Sequence, residues 1–136
     1  MQFNQAMQNP PLRGISFTQR YSQTLNREGL KQLYWLLFCK CAVRAVGDVW
    51  NIDYIEILSQ SRKDNCSLPR QAFIKMCRAE KVTCTFIADF LGRTYPTIIH
   101  HTKSFDGLLE HYPQEQIRYI HALNLTTKML NEKGLQ

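Results

Sequence analysis

The chain is 136 residues long, 44% hydrophobic and 21% charged, with a formal net charge of +6. That length suits one domain around a single core. No window approaches the ~18 uncharged apolar residues of a membrane span, because the richest run, Leu33 to Val46, is broken by Lys40 and Arg44.

In chain order, residues 1–27 are rich in Gln, Asn, Ser and Pro, with a Pro10-Pro11 break. They read as a mobile or loosely docked arm. The first fifteen residues have no apolar h-region, so no secretory signal is expected. The domain proper spans 28–136. Its first helix starts near Asn26, with Glu28 favourable in the first turn. Leu30, Leu33, Tyr34, Leu37, Phe38, Cys41 and Ala45 recur at helical spacing. Trp35 and Leu36 widen that stripe, which suggests a homodimer contact through helix 28–46 or cover from the arm. Gly47 and Asp48 are expected to end or bend this helix. Asp53 and Glu56 resemble a capping box opening a short helix to about Ser59.

A basic loop, Gln60 to Ser67, follows. Ser67 is the expected cap of a helix over 68–80, with Pro69 in its first turn, where proline is tolerated. Ala72, Phe73, Met76 and Cys77 would face inward, and Arg70, Lys75 and Arg78 outward. Thr83 to Lys103 then reads as helix, tight turn, helix. Thr83 and Thr94 are the expected N-caps, and Gly92 can take the positive φ of the turn. Ala88 allows close crossing, and Ile87, Leu91 and Ile98 lie on the faces that meet. A last helix, 113–131, is expected to bury Ile117, Ile120, Leu123 and Met129 or Leu130. No β-alternation of useful length occurs, so the fold class is all-α, a helical bundle containing a helix-turn-helix.

Charge follows this layout. Residues 59–104 carry eight Lys/Arg against three Asp/Glu, whereas residues 105–136 carry three against four. The positive excess therefore coincides with the helix-turn-helix and the loop before it, and such a surface attracts phosphates. The five cysteines, at 39, 41, 66, 77 and 84, include no C-x-x-C pair and have no histidine at ligand spacing. They fit reduced thiols of a cytoplasmic protein, with no metal and no cofactor expected. His100 and His101 point in different directions on one helix, and no nucleophile sits in a recognisable elbow. The chain is not expected to be an enzyme.

At two places the sequence resembles the C-terminal DNA-binding domain of the DnaA-type bacterial replication initiators. One is Glu56-Ile57-Leu58-Ser59 with Arg62 and then Pro69-Arg70-Gln71. The other is Gly92-Arg93 followed by Thr97-Ile98-Ile99-His100, which is similar to the family signature GRDHTTVLH. The resemblance runs from about Ala42 to Leu130. It implies a Trp-repressor-like helical fold with the signature helix, about 94–104, in the major groove and the loop 60–71 on the backbone or minor groove. There is no G-x-x-x-x-G-K-S/T, so the phosphate cradle of an initiator ATPase is missing and no nucleotide is expected. Thr94, Tyr95 and Pro96 stand where the family has Asp-His-Thr, which leaves the target sequence open.

The resemblance assigns Arg62 to the minor groove, with a solvated loop arginine as the plainer alternative. Lys63 is a phosphate candidate, and Arg70 and Gln71 match backbone-gripping residues helped by amides at a helix start. Thr94 would cap the recognition helix and reach a phosphate. Tyr95 and Thr97 occupy its first turn, the part that meets base edges. Arg93 and Lys103 would hold phosphates, and His101 would touch the backbone. His100 reads as structural, placed near the core by Ile98 and Ile99. The resulting expectation is a nucleoid-associated, double-stranded-DNA-binding protein acting in replication control or transcription regulation. The rivals are a protein-interaction module that kept the fold, and the DNA-binding accessory of a transposase or other mobile element.

Overall fold

The computed structural model describes residues 27–60 and 64–133. Among these residues the fold is all-α, with six helices and no strand. They are α1 (Arg27–Trp50), α2 (Tyr54–Leu58), α3 (Asp64–Ala79), α4 (Cys84–Leu91), α5 (Tyr95–His111) and α6 (Pro113–Glu132). The chain separates into two compact units, Met1–Leu37 and Phe38–Gln136, and the boundary falls inside α1. Of the arm expected over residues 1–27, residues 1–26 lie outside the described residues, and Arg27 already belongs to α1. In the first unit, the Lys31 ammonium lies 4.0 Å from the Glu28 carboxylate and 5.4 Å from the centre of the Trp35 ring.

In the second unit α3 touches every other helix. Its Phe73 stacks on Phe90 of α4 at 5.7 Å, and Lys75 pairs with Asp106 of α5 at 2.6 Å. Thr126 of α6 donates to the Met76 sulfur at 3.2 Å, Cys77 meets Cys39 of α1, and Arg70 reaches α2. Ala72, Phe73, Ile74, Met76 and Cys77 have no exposed surface. A helix buried on several sides needs apolar or satisfied groups on each of them, which explains why Ile74 is buried along with the expected inward residues.

Three helices end in the same way, with a residue in the left-handed region and a reciprocal pair of backbone bonds. At α1 the residue is Asn51, φ 56°, and the Ile52 amide donates to the Gly47 carbonyl at 2.9 Å. At α3 it is Lys81, φ 69°, with the Val82 amide on the Cys77 carbonyl at 3.0 Å. At α4 it is Gly92, φ 66°, with the Arg93 amide on the Ala88 carbonyl at 2.9 Å. Gly47 therefore does not end α1, which continues to Trp50. Its role is close approach: a β-carbon there would lie 2.7 Å from the Ile52 carbonyl oxygen.

Two expected helices shift. α3 starts at Asp64 rather than after Ser67, so Pro69 is its sixth residue. The reason is the buried stripe, which begins at Cys66 and continues through Pro69, Arg70, Phe73 and Cys77 at helical spacing. α6 has the expected span, and Leu130 is buried and Leu123 half-buried on it, but the start of its inward face is not the expected one. Glu115, Tyr119, Ala122, Thr126 and Leu130 are buried, while Ile117 and Ile120 are 68% and 54% exposed. Apolar spacing alone does not select the inward face when small and polar residues supply it. Tyr119 fits there by placing its ring edge-on to Phe105 at 5.7 Å.

Candidate nucleic-acid interface

The pair of helices expected to form the motif is present. Thr83 caps α4 by accepting from the Phe86 amide at 3.2 Å, and Ile87, Ala88 and Leu91 are buried. Gly92, Arg93 and Thr94 make the turn, and α5 follows with Ile98 and Phe105 on its buried face. Seven residues separate those two, two helical turns, so a single stripe anchors α5. The helix extends to His111, beyond the expected end near Ser104, because Phe105 is buried and Asp106 is held by Lys75.

The opposite face of α5 is open. Tyr95 is 53% exposed, and Thr94, Pro96, His100 and Lys103 are exposed with it. Thr94 occupies the cap position, but its hydroxyl pairs with that of Thr97 at 2.8 Å instead of capping a backbone amide. Pro96 contributes no amide to this first turn.

The expected arginine contacts are placed differently. Arg70 is 4% exposed. Its guanidinium donates to the carbonyls of Ile57 at 3.0 Å and of Glu56 and Ser59 at 3.3 Å each. These carbonyls lie at the end of α2, where helical backbone donors run out; that of Glu56 also accepts from the Ser59 amide at 3.2 Å and hydroxyl at 2.7 Å. Arg70 is thus a clamp on α2 and not an exposed grip on phosphate. Nor does it sit at a helix start, being the seventh residue of α3. Gln71, the eighth, is half-buried and donates to the Ser67 hydroxyl at 3.2 Å within the same helix. Arg93 is also turned inward: its guanidinium donates to the Ser59 carbonyl at 2.8 Å and the Leu91 carbonyl at 3.5 Å. Gln60 completes this corner by donating to the Gly92 carbonyl at 3.4 Å. Arg62 and Lys63 lie outside the described residues.

The two histidines exchange the expected roles. His100 is exposed, whereas His101 is half-buried and its Nδ1 is buried without a hydrogen-bond partner. Burial holds the His101 imidazole below its ordinary pKa, with His100, Arg70 and Arg93 adding to the effect. Burial and the neighbouring Arg93 lower the Arg70 pKa in the same way, partly offset by Cys66. Helical phase explains the exchange. His101 is three residues after Ile98 and four before Phe105, and so shares their side. His100 is four after Pro96 and three before Lys103, and so shares theirs. Its two isoleucine neighbours in sequence were a misleading cue.

Of the candidate residues, Thr94, Tyr95 and Lys103 face outward, joined by His100; Arg70, Arg93 and His101 cluster inward beneath the turn; and the half-buried Gln71 and Thr97 pair with Ser67 and Thr94. Among the described residues no group of three or more His, Cys, Asp or Glu side chains could hold a metal ion, and no helix is long and apolar enough to cross a membrane. No family model, no curated protein and no solved structure matches the chain.

Proposed function

We propose that the chain binds double-stranded DNA, with the first turns of α5 entering the major groove. The observation that carries this reading is the geometry of α5. A tight left-handed turn at Gly92 leads into a helix whose start is exposed through Tyr95 while Ile98 and Phe105 fix its other side. Helix-turn-helix proteins present a second helix to the groove in this manner. The local excess of positive charge over residues 59–104 and the resemblance to the DnaA C-terminal signature support the same reading. Tyr95 would meet base edges or a thymine methyl, Thr94 a phosphate, and His100 and Lys103 the backbone. Arg93 and Arg70 would support the turn from beneath. The role proposed is replication control or transcription regulation in a bacterial nucleoid, exercised by binding and not by catalysis.

Selection of duplexes from a random pool, followed by binding measurements at two salt concentrations, tests this directly. Binding should weaken steeply with salt, and Lys103→Ala should make the slope of log K against log salt shallower by about 0.9. Binding that is flat across salt and indifferent to Lys103→Ala and Tyr95→Ala overturns it.

A second reading is favoured by a different observation. Tyr112, Ile117 and Ile120 are large apolar side chains more than half exposed on and beside α6, which suits a protein-interaction module. That module would bind a protein partner with affinity that Ile117→Ser removes and Lys103→Ala leaves unchanged.

A further inference from the structure

Five cysteines occupy the chain, and all are buried free thiols. Two of them meet: the sulfurs of Cys39 on α1 and Cys77 on α3 are 3.7 Å apart, and neither residue has any exposed surface. Cys66 instead donates to the Asn65 side chain at 3.6 Å. The 3.7 Å contact joins residues 38 apart in sequence, on two different helices of the second unit. A disulfide requires sulfurs about 2.05 Å apart. The 3.7 Å contact is longer than that, so rotation about the Cα–Cβ bond of each cysteine has to bring the two sulfurs together.

We infer that Cys39 and Cys77 are a redox modification site, which a small-molecule disulfide of the oxidised-glutathione class converts to an intrachain disulfide joining α1 to α3. One cysteine, having lost its proton to solvent, attacks a sulfur of the oxidant. The oxidant's S–S bond breaks, one thiolate leaves and takes up a proton, and a mixed disulfide remains. The second cysteine, deprotonated in turn, attacks the protein sulfur of that mixed disulfide and expels the second thiol. Two protein thiols are oxidised and one disulfide is reduced to two thiols. Burial pushes the Cys77 thiol pKa well up, reinforced by Cys39, so the pair is inert in the closed helix contact. Exchange passes through transient separation of the helices, and its rate follows that opening equilibrium. The product closes a long loop, which restricts the unfolded chain most.

The test is incubation of the whole chain in mixed oxidised and reduced glutathione, across urea concentrations up to the unfolding midpoint. Alkylation in denaturant and peptide mapping without reductant follow. The expected result is loss of two of the five thiols, a single Cys39–Cys77 linked peptide, faster formation as urea rises, and a melting temperature higher by at least about 5 °C. Cys39→Ala and Cys77→Ala should each abolish that product, and either variant serves if the other fails to fold. Retention of all five thiols at every urea concentration overturns the inference. So does a linked peptide of any other pair, or an oxidised form that melts lower than the reduced one.

Discussion

Arg70 donates to three backbone oxygens at the end of α2. Deleting it removes the charged donor from the Ile57 and Glu56 carbonyls, while Arg93 still donates to that of Ser59. Arg70→Ala should therefore cost roughly 2–4 kcal/mol of stability in urea denaturation. In whatever fraction stays folded, the salt slope of the proposed DNA binding should be unchanged, because Arg70 is placed at no phosphate contact in that proposal. A stability change under ~0.5 kcal/mol would mean that the clamp is dispensable. His101 adds a pH dependence. Its folded-state pKa is depressed, chiefly by burial and then by His100, Arg70 and Arg93, so the unfolded chain binds its proton first as pH falls. Stability from this group is complete above its unfolded value of about 6.5 and declines from there until the folded imidazole also protonates. His101→Asn should flatten the urea midpoint between pH 7.5 and 5; an unchanged profile would assign the acid sensitivity elsewhere.

At the scale of elements, the turn between α4 and α5 depends on one backbone conformation. Gly92 sits at φ 66° and ψ 36°, where an L side chain is strained by roughly 1–2 kcal/mol. Gly92→Ala should lose about that much. Lys81 already bears the same strain at φ 69°. Lys81→Gly should gain up to about 1 kcal/mol once the greater freedom of glycine in the unfolded chain is subtracted. Opposite signs for the two variants, read from thermal or urea unfolding, are the check; equal signs would refute the strain account. The α4–α5 caps and turn were legible in the sequence because they are local: Thr83 bonds three residues ahead, and Gly92 answers a turn five residues long. The start of α3 was not, since Ser67 and Pro69 imitate a helix opening while Cys66 is already drawn into the core. α6 misled for a related reason. Its two exposed isoleucines outrank Ala122 and Thr126 on any hydropathy scale, yet the inward face was chosen by what fits against Met76 and Phe105.

For the whole molecule, α3 is the element that the other helices share. Phe73→Ala removes a fully buried ring stacked on Phe90 and should cost about 3–5 kcal/mol. Because contacts to α1, α2, α4, α5 and α6 all converge on α3, the midpoint should fall equally by far-UV circular dichroism and by the fluorescence of Trp50, read in a Trp35→Phe background because Trp35 belongs to the first unit. Separate midpoints would show that parts of the second unit unfold independently. Residue order was enough for the helical class, the Thr83 cap, the Gly92 turn between α4 and α5, and the stretch where positive charge accumulates. Each of these rests on spacing within one or two turns of chain. Which cations face solvent was settled by packing between helices. Arg70 and Arg93 are drawn inward by backbone carbonyls at a helix end, 11 to 14 residues away for Arg70 and 34 for Arg93, and His100 and His101 trade places by one step of helical phase. A side chain's composition and neighbours state what it can bond to, but the choice between water, phosphate and an unpaired carbonyl is made by whichever group the fold brings within reach.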